Sequence, residues 1–271
     1  MIYNNNRATR QLFPMTFPDI HFELQGPVAI VRLARPAKRN AISDGLILGI
    51  REVFETMPEG VRAVLLDGEG DHFCAGLDLS ELKERDAGAG LIHSRMWHAA
   101  LETIQFGPAP VIAALHGAVV GGGLELAASC HIRVADETAF YALPEGSRGI
   151  FVGGGGAVRI PRLIGEARMA DMMFTGRVYD AKEGERIGLS QYIVPAGQAF
   201  AKAMELAQRV AKNAPLTNYA LMHALPRIAE QPADQGFLTE ALMAAIAQSA
   251  PEAKERVREF LEGRGPKVKK A

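Results

Sequence analysis

The sequence predicts an α/β protein with mostly parallel strand pairing, followed by a purely helical C-terminal region. Three observations predict it. Short apolar runs alternate with segments of helical period through about residue 195. Glycines and prolines punctuate the joints between them. Beyond about residue 197 only the helical period remains. The division expected is an N-terminal arm over 1–18, a core over 19–197 and a helical region over 198–271.

The elements follow in order. IHFELQG and PVAIVRLAR alternate apolar and polar residues around Gly26-Pro27, which reads as two strands joined by a turn. Ser43 is placed to cap the helix DGLILGIREVFETM. RAVLLDG reads as a short buried strand, and the segment GEGDHFCAGLDLSEL leads into a helix over about 90–106. Pro108 and Pro110 stop that helix before the strand VIAAL. A glycine triplet opens the next helix, and the strands HIRVA and FYA follow. The C-terminal region reads as AFAKAMELAQRVAKN, a segment around TNYALMHALPRI, and a run from Phe237 to Gly263. The Ala-rich stretch near 237–248 suits burial, either within the chain or between subunits.

Composition excludes several classes. With 48% hydrophobic and 23% charged residues over 271, the chain can bury a sizeable core. Thirty basic and 31 acidic residues leave a net charge of −1, so no global basic field for nucleic acid or anionic membrane exists. Two cysteines, Cys74 and Cys130, imply neither a disulfide framework nor a zinc site, and no metal is expected. No signal peptide or membrane-spanning run is read, so a soluble, cytoplasmic protein is expected.

Glycine-rich stretches at 121–123 and 153–156 match neither the phosphate-binding NTPase loop nor the dinucleotide pattern. Close helix–strand packing explains any single glycine. Three in a row at a helix start also leave N–H groups that suit a developing negative oxygen. FCAGLD at 73–78 can turn sharply and present another.

One carboxylate is out of place. Glu125 lies among Leu124, Leu126, Ala127 and Ala128, and an all-round apolar helix is normally buried. A buried acid without a partner tends to hold its proton. Glu145, 20 residues on, is far enough along the chain to fold back beside it. Two acids so placed can do acid–base work. Glu125 as a dipole-stabilised surface acid, and Glu145 as a solvated turn acid or a partner for Arg148, are the plainer readings.

Together these segments resemble the crotonase (enoyl-CoA hydratase/isomerase) family from about residue 20 to the C-terminus. LARPAKRNAIS (33–43) resembles its CoA-contacting segment and FCAGLDLSEL (73–82) its first oxyanion loop. HGAVVGGGLELAASCHIRVA (116–135) resembles the second oxyanion loop with its helix. LPEGSRGIFVGGGGAVRIPRLIG (143–165) resembles the segment bearing the second acid, and PEAKERVREFLEGRGPKV (251–268) the C-terminal helix. The resemblance implies a spiral of ββα units with C-terminal helices that form trimers, often paired into hexamers. It implies no permanently bound cofactor, with a coenzyme A thioester as substrate. Leu77 and Gly122 would supply the oxyanion-hole N–H groups, and Glu125 and Glu145 would be the catalytic pair. Lys38, Arg39, Ala41, Ala75, Gly76, Asp78, Leu79 and Gly121 would border the CoA thioester.

There are departures from the family's pattern. Ser80 stands where a basic CoA-contacting residue is common, with Lys38, Lys83, Lys267, Lys269 and Lys270 as substitutes. Leu77 is bulkier than the usual alanine. Phe151-Val152 and four glycines replace the usual Pro-Gly, which is expected to alter the floor near Glu145. Two glutamates favour a hydratase over a double-bond isomerase, which mainly needs one, and over a non-catalytic binding or assembly member of the fold.

Overall fold

The computed structural model describes residues 17–81 and 84–264. Most of the N-terminal arm, Lys83 and the lysines at 267, 269 and 270 lie outside the described residues. The expected hairpin forms from β1 (Ile20–Gln25) and β2 (Val28–Leu33), paired antiparallel with Gln25 opposite Val28. Ser43 accepts a hydrogen bond from the Leu46 N–H and so caps α1 (Asp44–Glu55). Next come β3 (Ala63–Gly68), α2 (Ala87–Gln105) and β4 (Val111–Leu115). A three-residue strand, β5 (Ala118–Val120), then precedes α3 (Gly122–Ser129), β6 (Ile132–Asp136) and β7 (Phe140–Ala142). Two helices, α4 (Gly156–Ile164) and α5 (Glu166–Thr175), lead to β8 (Tyr179–Asp180), α6 (Ala181–Ile187) and β9 (Tyr192–Val194).

The strands sort into two sheets. The larger has the order β1-β2-β3-β4-β6-β9, parallel throughout except at the β1–β2 pair. The smaller has the order β5-β7-β8, with β5 parallel and β8 antiparallel to β7. This is the crotonase fold. Both faces of the large sheet are covered, as parallel sheets require. Strand period sends Ala29, Val31, Val64, Leu66, Val111 and Ala113 into the main core. Their neighbours Val28, Ile30, Ala63, Leu65, Ile112 and Ala114 face a second core on the opposite side.

The helical region beyond residue 198 is not uniform. Its first helix, α7 (Ala199–Ala211), closes the second core with Ala203, Met204, Leu206 and Ala207. It packs on the sheet as an integral layer. Thereafter come α8 (Pro215–Tyr219), a π-helical turn over Ala220–Ala224, α9 (Leu225–Ile228), α10 (Ala233–Ser249) and α11 (Pro251–Leu261). Pro251 divides the run from Phe237 to Gly263 into two helices, because a proline inside the run would remove a helical N–H. Burial of the 237–248 stretch within the chain does not occur: Phe237, Leu238, Leu242 and Ile246 are all exposed. Among the described residues no helix is long and apolar enough to cross a membrane.

Candidate active site

The glycine triplet exists because three different objects crowd its backbone. A Cβ on Gly121 would lie 2.6 Å from a carboxylate oxygen of Glu145, at a φ of +53° that L side chains rarely adopt. One on Gly122 would meet the Trp97 ring at 3.1 Å, and one on Gly123 would lie 2.3 Å from the Cys74 carbonyl oxygen. The triplet is therefore the point where α2, the 73–78 loop and the Glu145 turn converge on the start of α3.

That convergence brings two backbone donors together. Gly76 has a φ of +93°, and a Cβ there would lie 2.7 Å from the Val120 carbonyl and 3.3 Å from the Gly122 nitrogen. The Leu77 nitrogen lies 3.5 Å from the Cβ position of Gly122. Among the described residues neither the Leu77 nor the Gly122 N–H donates to any protein acceptor. Both residues line a cavity of about 370 Å³. The Gly121 N–H is differently employed, donating to the Ala142 carbonyl at 2.9 Å.

Glu125 and Glu145 border the same cavity, with Trp97, Ile150, Phe151, Val152, Gly153 and Gly154. Both are buried. Glu125 sits in the first turn of α3, and all eight residues of that helix are buried, as its apolar composition requires. Its Oε1 accepts the N–H groups of Gly154 at 2.8 Å and Gly156 at 2.7 Å. Burial pushes its carboxyl above the ordinary range, and these two amides and the Arg159 charge pull it back. Glu145 has no such support. It precedes a short 3-10 turn (Gly146–Arg148), and its Oε2 is buried with no hydrogen-bond partner. Burial raises its pKa, and the charge of Glu125 raises it further against weak opposition from its own backbone and Arg148. Two acids whose surroundings favour opposite protonation states can serve as base and acid at one reacting centre.

The four-glycine run at 153–156 thus serves a residue other than the expected one. Its amides hold Glu125, not the floor beneath Glu145. A Cβ at Gly156 would come within 2.8 Å of the Glu125 Cγ and Oε1. The run in the sequence was the available signal, but nothing local connects it to an acid 29 residues earlier. Trp97 and Arg159 carried no sequence signal at all.

The 33–43 and 73–79 segments also meet. The Ile42 N–H donates to the Gly76 carbonyl at 2.7 Å, and the Asp78 N–H to the Ile42 carbonyl at 2.9 Å. Ala75 donates to the Arg39 carbonyl at 2.9 Å, and Arg35 reaches the Ala41 carbonyl. Lys38, Arg39 and Leu79 are exposed beside this junction. Asp78 is occupied internally: Ser80 donates to one oxygen and Arg35 to the other. The Ser80 hydroxyl, foremost, holds its carboxyl below the usual range. Ser80, standing at the position of the missing basic residue, is thereby a partner of Asp78. Cys74 and Cys130 are buried thiols whose pKa burial pushes up to about 12, which makes both poor nucleophiles. No cluster of metal-ligating side chains occurs among the described residues.

A family model described as enoyl-CoA hydratase/isomerase matches residues 23–271. The chain belongs to that family. It is 31% identical to the enoyl-CoA hydratase EchA19 of Mycobacterium tuberculosis, over 92% of this chain and 96% of that one. A crystal structure from Rhodopseudomonas palustris, provisionally assigned as an enoyl-CoA hydratase, is 58% identical. It superimposes with a TM-score of 0.90, over 92% of this chain and 96% of its own. The enoyl-CoA hydratase of Bacillus anthracis is 30% identical with a TM-score of 0.85, over 93% and 99%. The match covers both glutamates, both free amides and the cavity they border.

Proposed function

We propose that the chain is an enoyl-CoA hydratase that adds water across the C2=C3 bond of a 2-enoyl-CoA thioester. The observation that carries this reading is the pairing of two buried glutamates with two unpaired backbone N–H groups around one cavity. The thioester oxygen accepts from Leu77 and Gly122. Glu125, whose ionised form has two amide donors, takes a proton from water as its oxygen bonds to C3. The C2=C3 electron pair shifts toward the thioester, and the charge on its oxygen is stabilised by roughly 3 kcal/mol per well-aimed donor. Glu145, whose carboxyl has no donor for its charged form, delivers its proton to C2. One proton then passes from Glu125 to Glu145 to restore the starting state.

No metal and no permanently bound cofactor enters this scheme. The exposed cations Lys38 and Arg39, beside the 73–79 loop, suit the phosphates of coenzyme A. Ile150, Phe151 and Val152 give the acyl side of the cavity an apolar wall. The exposed apolar side chains of α10 support assembly into a homotrimer or hexamer through the C-terminal helices.

The test is spectrophotometric. The protein is mixed with crotonyl-CoA and with cinnamoyl-CoA, and loss of the conjugated-enoyl absorbance is followed. Hydration of at least one ester is the expected result. If neither ester is hydrated while a 3-enoyl-CoA is converted to its 2-enoyl isomer, the hydratase reading gives way to an isomerase. Sedimentation of the protein before and after Leu242→Glu tests the assembly: a fall from trimer or hexamer mass to monomer is expected.

A further inference from the structure

Arg159 is a buried cation behind the Glu125 carboxylate, and it touches neither the cavity nor a paired acid. Its Nε donates to the Gln105 side-chain oxygen at 2.7 Å, and its Nη1 to the Gly154 carbonyl at 3.1 Å. Gly154 is the residue whose N–H donates to Glu125. The next residue, Gly155, has a φ of +96°, and a Cβ there would lie 2.3 Å from Nη1 of Arg159. The guanidinium therefore lies flat against the bend that aims the Gly154 and Gly156 amides at one oxygen. On the other side of the bend, the Ser94 hydroxyl donates to the Gly153 carbonyl.

We propose that Arg159 is a positioning residue for catalysis: it clamps the Gly153–Gly156 bend, so that Oε1 of Glu125 is held and Oε2 is left to face water. The proposal rests on Glu125 being the base. A fork-shaped donor suits the task, because it can hold Gln105 and the Gly154 carbonyl together while its charge favours the ionised acid. The ionisable groups facing Arg159 come from each neighbouring element: Glu102 and His98 on α2, Glu125 and Cys130 at α3, and Arg162 on its own helix. Glu145 completes the set around Glu125. Of these, only Arg159 combines a positive charge near Glu125 with a bond to the bend that holds it.

The experiment measures the pH profile of kcat with crotonyl-CoA and the affinity for the saturated butyryl-CoA. The variants are Arg159→Met, Arg159→Lys, Gln105→Leu and Glu125→Gln. Losing the charge raises the pKa of the base, so the acid limb of the Arg159→Met profile is expected to move to higher pH. Its kcat falls about tenfold or more, while butyryl-CoA affinity stays within about twofold. Arg159→Lys returns the acid limb toward wild type but leaves kcat reduced, since an ammonium lacks the fork. Gln105→Leu moves the limb less, in the same direction, and decides the matter should Arg159→Met not fold. A wild-type limb and kcat in folded Arg159→Met, or an unmoved Gln105→Leu profile in its absence, overturns the proposal. So does a loss of butyryl-CoA affinity equal to the loss in kcat. Full activity in Glu125→Gln would instead refute the base assignment itself, whatever the Arg159 variants do.

Discussion

Glu125 and Glu145 are the same residue type at one cavity, yet their surroundings are opposites. Glu125 lies in a helix buried on every side, with two amides and a guanidinium arriving from α4 and the bend before it. Glu145 lies on a turn, with one oxygen against Gly121 and the other buried without a partner. Burial alone makes an acid hold its proton. What separates the two is whether the fold supplies donors to the charged form. The lesson is that proton assignment here is set by backbone N–H groups, with side-chain charge in support.

The comparison breaks most severely when either carboxylate is neutralised. Glu125→Gln and Glu145→Gln are each expected to lower kcat by roughly 10²- to 10⁴-fold, measured on crotonyl-CoA. A large loss in one and none in the other would mean that a single acid suffices, as in an isomerase.

Next in size are the glycines that touch each acid. Gly121→Ala places a methyl on the Glu145 oxygen and forces an L residue to φ +53°. It should cost about 1–3 kcal/mol of stability as well as about 10²-fold in kcat. Gly156→Ala crowds the Glu125 carboxylate without the backbone penalty, its φ being outside the left-handed region. It should reduce kcat comparably while sparing more of the melting temperature. Equal thermal losses in the two would contradict the assigned difference in backbone strain.

The smallest effect is a stability change with pH. Burial lifts the Glu145 carboxyl above its ordinary 4.5. Below that value the folded and unfolded chains are both protonated and no difference arises. Above it the unfolded chain releases its proton first, so stability is lost as pH rises toward the folded pKa. Glu145→Gln removes this penalty. Its melting temperature should match wild type near about pH 4 and exceed it by roughly a few degrees near about pH 7. A constant offset across that range would mean that the proton is not involved.

Much of the fold was legible because it depends on local chemistry. The hairpin at Gly26-Pro27, the Ser43 cap, the VIAAL strand and the stop at Pro108 each need only neighbouring residues. Three-residue strands escaped the reading: β5 leaves too short a period to distinguish AVV from the loop before the triplet. In composition the Ala- and Leu-rich α10 and α3 look alike, yet every residue of α3 is buried and Gly236 is the one buried residue of α10. Apolar content states what a helix can bury, and only its neighbours decide whether it does.

By itself the sequence determined the α/β class, the order of the motifs, and the anomaly of one acid in an apolar helix. It also marked Gly121 to Gly123 as backbone that must come close to something. What each glycine approaches was decided in three dimensions: a carboxylate, an indole and a carbonyl from three separate segments. The partners of Glu125 come from residues 154, 156 and 159, about thirty positions away, through bonds that no spacing announces. The physical reason is that hydrogen bonds to a buried charge are made by whichever backbone the packing delivers, and packing is a property of the whole chain.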